Sequence, residues 1–368
     1  MDFQLSDEQE LLRDTTRDLL ARHYDVERRN QVIATDVGWS REVWGQLADT
    51  GILGLGFDPS ESGQIEITAV MTEIGRRLAP EPVLQAALAP GAVIAEQGTD
   101  EQKQLLDEVA EGRLLLAFAH TEPGMRGATA AVSTTARPDG EAWVLSGRKN
   151  PVPAGDTADT LVVTAALPDG GTGLFLVHGD AVNKTGFRTF DGLRGAQIDL
   201  NGSPATPLGS AADATPAIER ALVRIQSALC AEAFGAMEES LRLTSEYLKS
   251  RKQFGVTLNT FQTLTQRAAD MYVSLELARS MNLYAAMSIA DGVLDPTVAA
   301  RAKLQIARSG RHISQEAIQL HGGIGITAEY PVAHYAARLT AIDNTLGSAQ
   351  DQLGVLSGQI RDYEIAML

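Results

Sequence analysis

Two clusters of residues in this chain have types and spacings suited to an anionic, nucleotide-like ligand. The first is Arg251-Lys-Gln-Phe-Gly255 with Phe261-Gln262, where a long helical pattern closes on two cations and a glycine. The planar guanidinium of Arg251 can grip a diphosphate through parallel hydrogen bonds, which an ammonium cannot do. The second is Gln319-Leu-His-Gly-Gly323, a helix end. There the backbone amides of Gly322 and Gly323 can approach a flat ring or a ribose with no Cβ in the way. Both clusters also have a plainer reading, since cations suit a helix C-terminus and glycines end helices. Spacing alone leaves the two readings even.

Two further side chains could do chemistry. Glu232 stands in the apolar stretch Leu229-Cys-Ala-Glu-Ala-Phe-Gly235, where burial would raise its pKa and suit it to proton abstraction. Its plainer role is a bond to a neighbouring helix. Cys230 is the only cysteine, so no internal disulfide can form, and its apolar surroundings predict a buried, inert thiol.

These residues need elements to place them. Residues 1–112 read as helices. Ser6-x-x-Gln9 and Thr99-x-x-Gln102 form capping boxes, and Leu11, Leu12, Thr15, Leu19 and Leu20 recur at helical spacing. Residues 113–209 change character. Leu114 to His120, Trp143 to Ser146, Thr160 to Ala166 and Gly173 to His178 are short apolar runs between glycine- and aspartate-rich turns, the pattern of antiparallel strands. From residue 210 the helical period returns. The segments 217–250, 260–291, 295–320 and 331–363 are long and rich in Ala and Leu, with breaks at Gly255, Asp295-Pro296 and Gly322-Gly323. Helices of this kind pack on one another, here as a four-helix bundle with apolar surface to spare for another subunit.

A chain of 368 residues, 44% hydrophobic, can bury a large core. Its net charge of −16 argues against nucleic-acid phosphate or an anionic membrane as partner. No apolar run approaches the ~20 residues that span a bilayer. The acidic, amphipathic start is unlike a signal peptide, and one cysteine fits a reducing compartment, so a soluble cytoplasmic protein is expected.

The motifs together resemble the acyl-CoA dehydrogenase family, over essentially the whole chain. They run from Met1-Asp-Phe-Gln-Leu-Ser-Asp-Glu-Gln9 through Thr121-Glu-Pro-Gly124 and Ser250-Arg-Lys-Gln-Phe-Gly255 to Ala317-Ile-Gln-Leu-His-Gly-Gly-Ile-Gly325 and Glu329-Tyr-Pro331. The resemblance implies an α+β, multi-domain fold: an N-terminal α-helical domain, a middle antiparallel β-barrel-like domain and a C-terminal four-helix bundle. It also implies FAD-dependent oxidation of an acyl-CoA across Cα–Cβ. A carboxylate base takes the α-proton, and electron-transfer flavoprotein is the expected acceptor.

Measured against the family pattern, several positions have lost their chemistry. Aligned from Glu329-Tyr-Pro331, the base position falls on Leu346, and Asp343 lies most of a turn away from it. The alternative base position, counted back from Arg251, falls on Ile225, and Glu232 is displaced from that by ~10 Å along the helix. After Thr121-Glu-Pro-Gly124, Gly127 replaces a serine that would reach the diphosphate. In Gly147-Arg-Lys-Asn-Pro-Val-Pro153, Pro151 replaces a tryptophan that would stack on the flavin and Pro153 a threonine that would face it. Proline offers neither an aromatic face nor an N–H.

The losses sort by role. In the family each FAD is held by two subunits, one gripping the flavin and supplying the base, the other supplying adenine- and diphosphate-side contacts. The second set, Arg251, Phe254, Gln262, Gln319, Gly322 and Gly323, is intact here, and the first is gone. The expectation is therefore a chain without a catalytic residue of its own. It would act in a heterotetramer with a homologous catalytic subunit, on an acyl-CoA such as a steroid side-chain CoA ester of cholesterol catabolism. Two other readings stay open: a self-sufficient homotetramer using Glu232 as base, and a flavin-free scaffold of the same fold.

Overall fold

The computed structural model describes residues 4–358 apart from 126 and 141. The chain begins with seven helices: α1 (Asp7–His23), α2 (Val26–Ile33), α3 (Arg41–Asp49), α4 (Gln64–Arg77), α5 (Ala89–Gln97), α6 (Asp100–Lys103) and α7 (Leu105–Ala110). Both capping boxes form. Ser6 Oγ accepts from the Gln9 amide at 3.3 Å while Gln9 Oε1 accepts from the Ser6 amide at 2.9 Å, and Thr99 and Gln102 repeat the arrangement. In α1 the buried stripe is Thr16, Leu19 and Leu20, whereas Leu11 points outward. Residues 12, 16, 19 and 20 share a face at helical period, and 11 and 15 sit on its flank.

Seven strands follow: β1 (Leu116–Ala119), β2 (Thr135–Asp139), β3 (Ala142–Pro153), β4 (Thr160–Ala166), β5 (Thr172–His178), β6 (Asn183–Arg188) and β7 (Arg194–Pro207). Strand β5 pairs with both β4 and β7, and β2 with both β3 and β4, so the sheet closes on itself as a barrel-like layer. Most pairings are antiparallel, as the turn pattern predicts. The exceptions are β1 against β4, which is parallel over four residue pairs, and the single parallel pair Thr135–Ala166. Both exceptions involve β4, whose residues 160–165 are all buried, the continuous apolar run expected of a strand covered on both faces. Leu145, Val152, Leu161, Val163, Phe175, Ile198 and Leu200 fill the interior.

After the sheet the described residues return to helices: α8 (Thr215–Ser250), α9 (Gln262–Ala290), α10 (Pro296–His321), α11 (Pro331–Asn344) and α12 (Ala349–Gly358), with the two-residue strands β8 (Lys252–Gln253) and β9 (Val256–Thr257) between α8 and α9. The last segment, expected to be one helix over 331–363, is two. Thr345 to Ser348 break it, with Leu346 at φ +57° and Gly347 at φ +98°, and residues 359–363 lie outside the described residues. Lys303, fully buried on α10, explains how the break is held. Its ammonium donates to the carbonyls of Ile342 (2.7 Å), Asp343 (3.0 Å) and Gly347 (3.3 Å), capping α11 with a cation where the helix dipole favours one.

Packing groups these elements into two compact units. One combines residues up to Arg28, Thr68–Ala79 and everything from Gln226 onward; the other combines Arg29–Ile67 and Pro80–Ile225, barrel included. In the first unit α4 meets α8 at glycines. A Cβ on Gly75 would stand 1.9 Å from the Glu232 carbonyl oxygen, and one on Gly235 would stand 1.9 Å from that of Thr72. Only glycine permits this backbone approach. Among the described residues no helix is long and apolar enough to cross a membrane.

Candidate functional site

Helix α8 ends at Ser250, and the Arg251 amide closes its last turn on the Tyr247 carbonyl at 2.8 Å. The β8–β9 hairpin then reverses the chain through Phe254 (φ +53°) and Gly255 (φ +83°), and the Leu258 amide returns to the Arg251 carbonyl at 2.9 Å. A two-residue hairpin turn with positive φ at both central positions favours Asn, Asp or Gly. Phenylalanine at such a position is strained, and Phe254 is also 91% exposed. Its ring meets Phe261 edge-on at 6.2 Å, and Phe261 leads directly into exposed Gln262 on the first turn of α9.

The second cluster sits at the end of α10. Gln319 is exposed, and Gly322 ends the helix at φ +68°. Two contacts tie this end to the first cluster. Arg267 on α9 forks onto Glu316 at 2.5 and 3.0 Å, and the Tyr247 ring lies 4.5 Å from that of His321. Arg251, Phe254, Gln262, Gln319, Gly322 and Gly323 are therefore linked within one compact unit, and all six are exposed. A Cβ at Gly322 or Gly323 would meet nothing within 4 Å, so both faces stand open.

The other predicted positions look different. Pro151 and Pro153 lie exposed on one face of β3, alternating with buried Val152. Gly127 has φ +80° and open space where a side chain would project. Ile225 is half-buried on α8. Its neighbour Gln226 donates to the Leu346 carbonyl at 3.3 Å, as does Gln352, so the turn that carries Leu346 is held firmly. Asp343 accepts from the Ala349 amide at 3.0 Å and so serves the same turn. Glu232 is buried and forked by Arg338, Nε to Oε1 at 2.5 Å and Nη2 to Oε2 at 2.8 Å. That is the interhelical bond the plainer reading expects, between α8 and α11. Cys230 is fully buried, and desolvation pushes its thiol up to about 12, which makes it inert.

One constellation was not anticipated. Lys149, fully buried on β3, donates to Glu122 Oε1 (2.7 Å), the His120 carbonyl (3.2 Å) and Thr164 Oγ1 (3.1 Å). Glu122 also accepts from the Ser133 amide and hydroxyl and the Thr134 amide. Burial pushes the Glu122 carboxyl up, but Lys149 and these donors outweigh it and bring it down to about 2. Burial draws Lys149 down to about 8 against the pull of Glu122. His120 Nε2 meets the Ala128 carbonyl at 2.6 Å, so Nε2 carries the hydrogen and Nδ1 accepts from the Thr164 hydroxyl at 3.1 Å. The loop after Thr121-Glu-Pro-Gly124 is thus pinned to β1, β3 and β4. The signal was a lysine inside a strand pattern, where a charge must find a partner.

Comparison with known proteins places this arrangement. The acyl-CoA dehydrogenase N-terminal domain family matches residues 6–113, and the acyl-CoA dehydrogenase C-terminal domain family matches residues 216–358. The chain belongs to the acyl-CoA dehydrogenase family. It is 30% identical to the short-chain specific acyl-CoA dehydrogenase of Clostridium acetobutylicum, over 98% of this chain and all of that one. Among solved structures it resembles a variant of the Tcur3481–Tcur3483 steroid ACAD, with a TM-score of 0.89, 32% identity and coverage of 97% and 98% of the two chains. The ChsE4–ChsE5 complex of Mycobacterium tuberculosis shares the fold at 24% identity and a TM-score of 0.89, over 99% of this chain and all of that one. The expected acyl-CoA dehydrogenase fold of helical, β and helical domains is the fold observed.

Acyl-CoA dehydrogenases bind FAD. The exposed cluster has groups suited to one end of that cofactor: a guanidinium of the kind that pairs with a diphosphate, two glycines with open space where a side chain would project, and the exposed Phe254 ring. The positions that would face the flavin ring in this chain's own β domain do not fit it, because Gly127 brings no hydroxyl and Pro151 and Pro153 bring neither ring face nor donor.

Proposed function

We propose that this chain is the non-catalytic subunit of a heteromeric, FAD-dependent acyl-CoA dehydrogenase. It lends Arg251, Phe254, Gln262, Gln319, Gly322 and Gly323 to an FAD held mainly by a homologous partner. The observation that carries this is Phe254. A bulky aromatic at positive φ and 91% exposed is unfavourable twice over in the isolated chain. It becomes favourable when another surface covers it, and the diphosphate-binding arginine lies at the base of the same hairpin. Likeness to the Tcur3481–Tcur3483 steroid ACAD supports both a two-chain assembly and a steroid side-chain CoA ester as substrate. Electron-transfer flavoprotein is the acceptor this reading implies, and the cytoplasm its place.

A bound FAD would supply the hydride acceptor for oxidation of the acyl Cα–Cβ bond. This chain's part is to bind and orient. Arg251 would neutralise diphosphate charge, Gly322 and Gly323 would let the adenylyl end come close to backbone with no side chain in the way, and Phe254 would exclude water from the seam. On this reading none of the described candidates takes the α-proton. Leu346 and Ile225 cannot accept one, and both oxygens of Glu232 are engaged by Arg338. That pairing weighs against the homotetramer reading.

The test is FAD content. Expressed alone, the chain should be colourless; co-expressed with its catalytic partner, the assembly should be yellow. Arg251→Ala should then weaken FAD retention by one to two decades, because a charge-assisted contact to diphosphate contributes ~1.5–3 kcal/mol. Lys252→Ala should do much less. A stoichiometric flavin band from the chain alone, or equal retention by both variants, would overturn the proposal.

A further inference from the structure

Tyr247, His321 and Tyr330 form a three-ring cluster directly behind the exposed site. The His321 ring lies 4.5 Å from that of Tyr247 and 4.9 Å from that of Tyr330, and the two tyrosine rings are 6.3 Å apart. Each ring comes from a different element. Tyr247 is on the last turn of α8, one turn before Arg251; His321 ends α10, next to Gly322; Tyr330 is the residue before α11. The cluster thus joins the end of α8, which leads into the arginine-bearing hairpin, to the end of α10, which leads into the Gly-Gly turn.

His321 is buried, and its two nitrogens differ. Nδ1 lies 2.7 Å from the Ala317 carbonyl, and a carbonyl only accepts, so Nδ1 carries the hydrogen. Nε2 is buried and has no hydrogen-bond partner among the described residues. In the neutral ring that nitrogen is a bare lone pair against aromatic carbon, which is tolerable. Protonated, it is an N–H cation with no acceptor, in a space closed by two rings.

We infer that His321 is a positioning residue for the nucleotide-binding face, holding the Arg251 hairpin and the Gly322–Gly323 turn in register only while its ring is neutral. This rests on the reading of that face given above. Desolvation is the largest influence on His321 and lowers its pKa, against the bond to Ala317, which raises it. The charged and titratable groups around it are few. On α8 there are Tyr247 itself, Glu246 and Arg242, the last two pairing with each other. Glu316, on its own helix, is engaged by Arg267 of α9. Before and on α11 there are Glu329, Tyr330 itself, and His334, whose Nε2 bonds the Ala328 carbonyl at 2.9 Å. None of them meets Nε2. A histidine whose folded pKa is depressed contributes stability above its ordinary pKa and loses it as pH falls through the folded value.

Amide hydrogen exchange on the intact chain tests this without any flavin. Between about pH 7.5 and pH 5, protection of residues 251–258 and 322–328 should fall together, by up to about tenfold per pH unit after correction for intrinsic rates. His321→Phe keeps the ring stack but cannot titrate, so both segments should lose that pH response; His334→Gln should keep it. Should His321→Phe fold poorly, His321→Gln carries the same expectation, since its amide N–H can still reach the Ala317 carbonyl. Segments that respond separately, or a pH response unchanged in the His321 variants, would overturn the inference. In the assembly, the parent should shed FAD over the same pH range and the His321→Phe variant should not. Arg251→Ala weakens retention at every pH if the face binds nucleotide at all, so the two ideas fail by different results.

Discussion

Replacing Lys149 with methionine removes one charge from the buried Glu122–Lys149 pair and leaves side-chain length almost unchanged. In the parent, Glu122 is brought from 4.5 down to about 2 and Lys149 from 10.5 down to about 8. The two displacements have opposite consequences at neutral pH. The ionised carboxylate is stabilised by folding, and the ammonium is penalised by it. The pair should therefore contribute little net stability, as buried ion pairs commonly do. Breaking it is another matter. Lys149→Met strips Glu122 of its counter-charge and leaves it only the Ser133 and Thr134 donors, which should cost about 3–5 kcal/mol. Changing both partners, Glu122→Gln with Lys149→Met, should recover much of that loss. The assay is urea unfolding followed by tryptophan fluorescence. Trp39, Trp44 and Trp143, the three tryptophans of the chain, all lie in the unit that contains the pair. The gap between parent and Lys149→Met should narrow as pH falls from about 4.5 toward 2, because a protonated Glu122 no longer needs the ammonium. Additive losses in the double variant, or a Lys149→Met cost below about 1 kcal/mol, would refute the reasoning.

Gly235→Ala should destabilise the helical unit by about 1–3 kcal/mol, read by thermal unfolding, because the new Cβ would stand 1.9 Å from the Thr72 carbonyl and α4 and α8 would have to separate. Glu232→Gln should leave turnover of the assembled enzyme within about threefold, against the ~10²–10⁴ expected on loss of a general base, while lowering stability because Arg338 loses its carboxylate. A hundredfold fall in kcat at unchanged FAD content would instead make Glu232 the base.

What sequence alone determined here is mostly local or one-dimensional. The capping boxes at Ser6 and Thr99 depend on residues three apart. The change from helical to strand period near residues 113 and 210 depends on side-chain spacing. The inertness of Cys230 follows from its apolar neighbours. Family membership rests on motifs in order along the chain, and the absence of a carboxylate at 225 and 346 is plain from the residue types.

Tertiary structure decided whatever needed a partner distant in sequence. Nothing near Glu232 in the chain foretells Arg338, and nothing near Lys149 foretells that its ammonium meets Glu122 and Thr164. Buried charges take their meaning from such partners, because in a low-dielectric interior an unpaired one would not stay ionised. The break at Thr345 to Ser348 escaped the helical pattern for the same reason. It is held by Lys303 and Gln226, from helices earlier in the chain. The parallel pairing of β1 with β4 likewise comes from barrel closure rather than from adjacent turns. Most of all, sequence spacing left Arg251 and Gly322 evenly balanced between helix punctuation and ligand contact. Structure shows both exposed and joined through Tyr247 and His321. Exposure and proximity belong to the folded chain, and residue order alone does not contain them.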